Sequence, residues 1–275
     1  MRLAWSRSAI LGVVPLFALS SLVAASDAAA GERRKEPRLT VGLGVGAAVE
    51  LKGEVDPSFV PVPSFEYENR RFSMRSSGPG VEFDVVPWKA VQAGPLVRYR
   101  FGRDGDNDAV SRLPDVDDSV EVGLHAGVGV PVRVFGVDDK AVLTGKIEVL
   151  QDVAGGHGGL LADLSLGVLR KFGKRWRASG AASVGVASGA YMQAFYEVSA
   201  AGSAASGLPA FDTDRGFKDV GLRAGVSYRL TQNWNIGGGV AYVRLVGDAA
   251  KSPVTKETGD RDKVFFGVRV KYRLF

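Results

Sequence analysis

The sequence predicts an all-β protein: a transmembrane antiparallel up-and-down β-barrel of about twelve strands, made after a cleaved signal peptide. Three observations predict it. From Val264 to Leu274 the residues alternate strictly, with Val264, Phe266, Val268, Val270, Tyr272 and Leu274 on one face and Gly267, Arg269, Lys271 and Arg273 on the other; a period of two is a strand with one apolar and one polar face. Similar segments recur along the chain, joined alternately by short turns and longer loops, as in outer-membrane barrels. And the chain opens on an export signal. Arg2 and Arg7 form a basic start, Ile10 to Leu19 an apolar stretch, and Ala24, Ala25, Ser26 and Ala28 a small-residue cleavage region. The expected division is therefore a signal peptide over 1–28 and a barrel over 29–275.

Leu39 to Glu50 places Val41, Leu43, Val45, Ala47 and Val49 opposite Gly42, Gly44, Gly46 and Ala48. This glycine pattern lacks the strand-to-helix break and the lysine of a phosphate loop, so it reads as the small-residue inner face of a strand. Ser58 to Tyr67 and Arg71 to Ser76 form a hairpin around Glu68-Asn69-Arg70. Pro61 and Pro63 lie within its first arm, which places that arm where ladder pairing is weakened or incomplete. Val81 to Val86 and Val91 to Phe101 pair around Pro87-Trp88-Lys89. After the acidic loop Gly102 to Asp117 come Ser119 to Val134, a turn at Asp138-Asp139, and Ala141 to Val153.

A glycine-rich connection around His157 reads as a flexible hairpin tip. It leads to Leu160 to Arg170, a turn at Gly173 and Trp176 to Ala187. Ser188 to Asp214 is the longest loop. Val220 to Leu230 and Trp234 to Leu245 follow, joined at Thr231-Gln232-Asn233, and the loop Gly247 to Arg261 precedes the closing strand. Trp88, Trp176, Trp234, Phe101 and Tyr272 fall near strand ends, where aromatic girdles belong.

Composition narrows the function classes. Mean hydropathy is +0.04 and no long apolar run follows the export segment, which excludes ordinary membrane-spanning helices. Cysteine is absent, so disulfides and thiolate metal sites are excluded. The net charge of +5 is mild and scattered, which gives no nucleic-acid footprint. Asp104-Gly105-Asp106-Asn107-Asp108 alternates carboxylates as a calcium loop does. Ala109 and Asp115 stand where that loop needs glycine and glutamate, so the stretch reads as a solvated acidic loop, with no metal site and no cofactor. With only two histidines and no evident serine–aspartate partner, a hydrolase triad is not expected, and neither is an enzyme.

The polar face supplies the candidate functional residues. Arg98, Arg100, Glu121 and His125 point to the lumen by alternation, as do Lys146, Glu148 and Asp163. Arg177, Arg223, Arg229 and Arg269 complete this lumen-lining set. These groups either pair across the interior or line a solute path. Barrels of eight strands are filled by side chains and those of sixteen hold an aqueous channel, so at twelve the side chains decide.

Several stretches resemble the MipA/OmpV family of outer-membrane proteins: Pro61-Val62-Pro63-Ser64-Phe65-Glu66-Tyr67, Gly94-Pro95-Leu96-Val97-Arg98-Tyr99-Arg100-Phe101, Leu113-Pro114-Asp115-Val116-Asp117, Ser206-Gly207-Leu208-Pro209-Ala210-Phe211 and Ser252-Pro253-Val254. Family members usually end with tyrosine two residues before a terminal phenylalanine; here Tyr272 lies three before Phe275, which puts Phe275 out of phase with the apolar face. The resemblance implies an outer-membrane location in contact with lipid and lipopolysaccharide. It also implies a scaffold role joining a murein lytic transglycosylase to a penicillin-binding protein. Other members are described as porin-like, so a narrow channel for small solutes is the alternative.

Overall fold

The computed structural model describes residues 36–50, 58–86, 88, 90–103, 107–133, 140–258 and 261–275. The signal-peptide reading for 1–28, the turn at Gly53 to Pro57, residues 104–106 of the acidic loop and the turn at Asp138-Asp139 lie outside the described residues.

The strands are β1 (Arg38–Glu50), β2 (Ser58–Glu68), β3 (Ser73–Ser76), β4 (Gly80–Asp84), β5 (Val91–Arg100), β6 (Ser119–Arg133), β7 (Lys140–Asp152), β8 (Leu160–Phe172), β9 (Trp176–Ala187), β10 (Gly216–Arg229), β11 (Trp234–Leu245) and β12 (Asp262–Arg273). They form one closed antiparallel barrel in which each strand pairs with its sequence neighbours and β12 returns to β1. The closing ladder runs from Thr40 opposite Arg273 to Glu50 opposite Lys263. It continues to the end of the chain, because Leu274 N donates to Leu39 O at 2.9 Å and Leu39 N donates to Phe275 O at 3.3 Å. Phe275 is thus held by its backbone while its ring stays exposed.

The two faces of the wall differ as alternation requires. Leu43, Leu124, Leu166, Leu222 and Val268 are exposed on the outside, Val268 at 65%. Their neighbours one residue on face inward and are small or charged. A wall whose outside is a continuous apolar belt needs lipid around it, not water. Ring pairs mark the short-turn end of that belt: Trp176 on Tyr228 at 4.6 Å and Trp234 on Tyr272 at 4.7 Å. Arg170 lies over Phe172 at the same end. The turn between β8 and β9 needs Gly173, which sits at φ 56°, a conformation that costs other residues a Cβ clash.

Arg38 at the start of β1, Phe275 and the described short turns share one mouth. The other mouth carries the long loops, which in outer-membrane barrels face outward. These loops are not irregular. Among the described residues they contain α1 (Gly189–Tyr196), α2 (Ala200–Ser206), α3 (Gly247–Lys251), α4 (Pro253–Thr258) and a 3₁₀ turn at Val110–Arg112. Ser199 caps α2 by accepting from Gly202 N at 3.1 Å, and Gly207 ends it at φ 77°.

The exposed belt generates a prediction. Val226→Arg, on the outer face of β10, should lower the stability of the vesicle-embedded barrel by about 2–4 kcal/mol. Urea unfolding from lipid vesicles measures this; a change near zero would mean that this face meets water.

Candidate functional site

The lumen holds a continuous network of charged side chains. It starts on the short hairpin β3–β4. Arg75 Nε donates to Glu82 Oε2 at 3.1 Å, and Arg75 Nη2 donates to Gln92 Oε1 at 2.8 Å. Lys146 on β7 bridges two carboxylates, Glu82 Oε1 and Glu148 Oε1, each at 2.6 Å. Glu148 in turn accepts from Arg98 on β5. The register explains the convergence: Glu148 lies opposite His125 on one side and Asp163 on the other, so neighbouring strands deliver these groups at adjacent positions. Glu82 is only 1% exposed. A buried carboxylate of this kind is tolerated because two cations and their hydrogen bonds replace its water.

A second cluster sits nearer the long-loop mouth. Glu121, fully buried, accepts from Arg100 and from His157 Nε2, the latter at 3.1 Å. His157 Nδ1 accepts from Gly159 N at 3.0 Å, so the ring proton belongs on Nε2, facing the carboxylate. Tyr191 of α1 stands edge-on to the imidazole at 4.9 Å, and the Arg100 guanidinium lies 5.5 Å from the Tyr191 ring centre. The glycine-rich connection is therefore an ordered structural element, not a flexible tip. Asp152 accepts from the backbone N–H groups of Ala154, Gly155, His157 and Gly158 at 2.7–3.2 Å and folds the loop inward.

Above these charges the outer loops close over the mouth. Tyr191 and Met192 of α1 and Ala249 of α3 pack on Leu96, Leu150, Leu161 and Ala187, which line the inner wall near its outer end. A second apolar cluster joins Val110, Leu113, Val198, Leu208 and Val254. Ser252 Oγ donates to Tyr196 O at 2.6 Å, and Arg103 donates to Phe195 O at 2.8 Å and Pro114 O at 2.9 Å, tying the loops to each other. This is a knit lid.

The sequence-derived residues fall in three groups. Arg98 with Glu148 and Lys146, and Arg100 with Glu121, are brought together. His125 is buried beside them with Nε2 3.0 Å from Phe83 O. Asp163 meets Lys218 at 3.9 Å rather than an arginine, and Lys218 also pairs with Asp219. Arg177, Arg223, Arg229 and Arg269 lie on the β9–β12 side, Arg223 near Glu148 and Asp163. There glycine and serine recur on the inner face, and a luminal cavity touches Gly44, Gly46, Val62, Arg177, Ser227 and Arg269. Sequence reasoning missed Arg75, Glu82, His157 and Lys218. Glu82 lies on a strand of only five residues, too short to display a period, and Lys218 sits at a register shift in β10. Asp152 immediately before the glycine-rich loop was the available signal for His157.

Residues 41–274 match the family model described as MltA-interacting protein MipA. The chain belongs to that family. It is an outer-membrane β-barrel protein. Among solved structures it is similar to outer-membrane OmpT of Vibrio cholerae, at 7% identity and TM-score 0.40 over 86% of this chain and 97% of that one. It is also similar to the CymD monoaromatic hydrocarbon channel, at 11% identity and TM-score 0.40 over 92% and 91%. The Pseudomonas putida toluene transporter TodX matches at 12% identity and TM-score 0.37 over 91% and 92%. Such distant likeness carries no substrate across to this chain. No match is found among curated proteins.

The buried network makes a stability prediction. Glu82→Gln leaves Arg75 and Lys146 facing a neutral amide and should cost about 3–5 kcal/mol, the usual penalty for breaking a buried pair from one side. Adding Lys146→Met should recover part of that loss. Equal stability of the wild type and Glu82→Gln in urea titrations would show that the network is solvated.

Proposed function

We propose that this member of the MipA family is a non-catalytic scaffold exported by its amino-terminal signal. It stands in lipid and lipopolysaccharide, and its periplasmic face docks a murein lytic transglycosylase and a murein-synthesising penicillin-binding protein. The observation that carries the reading is how the lumen is filled and covered. The charge network fills its β3–β7 side, and the helical lid packs over its outer mouth. A barrel closed in this way offers surfaces rather than a passage. The family description, MltA-interacting protein, points to a partner of this kind.

The charge at the short-turn mouth fits docking. Arg70, Arg71, Lys174, Arg175 and Arg229 lie at or beside the short turns, all exposed. Arg175 Nη1 also donates to Tyr228 Oη at 3.1 Å, which holds one of these cations at the girdle. A basic rim speeds and orients the approach of an acidic partner surface, and its contribution falls with salt.

Capture of a purified lytic transglycosylase by the detergent-solubilised barrel tests the proposal. The wild type should retain the enzyme at low salt. The double substitution Arg175→Glu, Lys174→Glu should reduce retention at least several-fold while heat-modifiability is unchanged. Absence of retention by the wild type at any salt concentration would overturn the scaffold reading.

A further inference from the structure

The barrel wall is incomplete at one place. β2 pairs with β1 along its whole length, from Arg38 opposite Glu68 to Ala48 opposite Ser58. On its other side it pairs with β3 only at Glu66, Tyr67 and Glu68. The β3–β4 hairpin turns back at Ser77-Gly78-Pro79, and Tyr99 N donates to Pro79 O at 3.0 Å. Among the described residues, no strand therefore pairs with the β3-facing edge of β2 from Ser58 to Ser64. That edge is roughly 20 Å long at about 3.3 Å per residue. Val45, opposite Pro61, lies at mid-height in β1 and is exposed on the lipid side, so this edge borders the hydrocarbon.

An open sheet edge is not tolerated in hydrocarbon unless its polar groups are dealt with. Here the sequence removes or satisfies most of the donors. Along a strand, alternate residues send both N–H and C=O to the same neighbour. Phe65 N donates to Ser76 Oγ at 3.2 Å, so Phe65 points toward β3, and by parity so do Pro63, Pro61 and Phe59. Two of the donors that would face the gap are thus removed by proline, and a third is satisfied by a serine hydroxyl. The same prolines make the edge a poor template for an added strand, which would find acceptors but no donors at both positions. The side chains agree. Phe59, Pro61 and Pro63 face outward, Phe59 at 61% exposure, while Val60 and Val62 face inward. Both faces of this stretch are apolar. Val62 also touches the luminal cavity.

We infer that the open edge of β2 is a lateral seam that takes the hydrocarbon chain of a membrane amphiphile, which lies along Phe59 to Pro63 and reaches the luminal face at Val62. The seam is continuous with the lipid-facing belt, so the chain enters sideways from the bilayer and not through either mouth. The lid over the outer mouth and the charge network are compatible with it, because neither crosses β2.

The absence of native cysteine allows single-site labelling of the full mature barrel in proteoliposomes. Three variants carry bimane: Val62→Cys at the seam, Ser179→Cys on the opposite inner wall of the same cavity, and Leu43→Cys on the lipid face. Phosphatidylcholine brominated on its acyl chains is the quencher, and heat-modifiability confirms folding of each variant. Val60→Cys replaces Val62→Cys if the latter does not fold. Quenching at the seam should exceed that at Ser179→Cys several-fold and approach that at Leu43→Cys. Quenching at the seam equal to that at Ser179→Cys would overturn the inference, as would loss of seam quenching when the barrel concentration is raised, which would mean that a second copy covers the edge.

Discussion

Pairing of backbone polar groups in hydrocarbon is the constraint on which this structure depends. A segment that crosses a bilayer has no water to satisfy its N–H and C=O groups, so a sheet must close on itself. The β1–β12 ladder, extended by the hydrogen bonds of Leu274 and Phe275 with Leu39, performs that closure. Once the wall is closed and its outside is given to lipid, the charged side chains at mid-height are directed inward. A twelve-strand lumen is narrow enough that those side chains meet. Arg98, Lys146, Glu82, Glu148 and Arg75 then satisfy one another, with Gln92 accepting a further hydrogen bond from Arg75. The network and the apolar belt are two outcomes of one alternation.

The same constraint explains the one place where the wall departs from it. β3 and β4 are short because their hairpin turns at Ser77 to Pro79, and β2 is left with an edge. Pro61 and Pro63 fall on the positions whose N–H groups would have pointed into the gap. Proline there removes an unsatisfied donor, whereas at the intervening positions 60 and 62 it would break the β1 ladder. The placement of two prolines two residues apart thus has a physical reason that the sequence pattern suggested and the register makes specific.

The strands and their facing were legible because barrel strands encode orientation locally: each residue's face follows from its parity, independent of distant contacts. Glu121, Lys146 and Glu148 could be assigned to the lumen for that reason. What parity cannot give is the partner. Asp163 reads as a match for an arginine, but a register shift in β10 brings Lys218 to it. The helices of the long loops were illegible for a different reason. Segments such as α2, with small residues throughout, gain their stability from contacts such as Val198 and Leu208 against Val110 and Val254, which come from distant loops. His157 looked mobile because glycines surround it. Two of them do adopt positive φ, yet the Asp152 carboxylate gathers the loop's N–H groups and pins the ring onto Glu121.

Closure of the lumen by paired charges under a helical lid is the claim from which the functional reading follows. Single-molecule recording across a planar bilayer tests it most directly. Attraction between charges is far stronger in a confined interior than in bulk water, so the network should stay shut under applied voltage. The account predicts no steady conductance for the wild-type barrel once insertion has been verified. A sustained open current, with anion preference set by Arg177, Arg229 and Arg269, would contradict it and make the protein a channel.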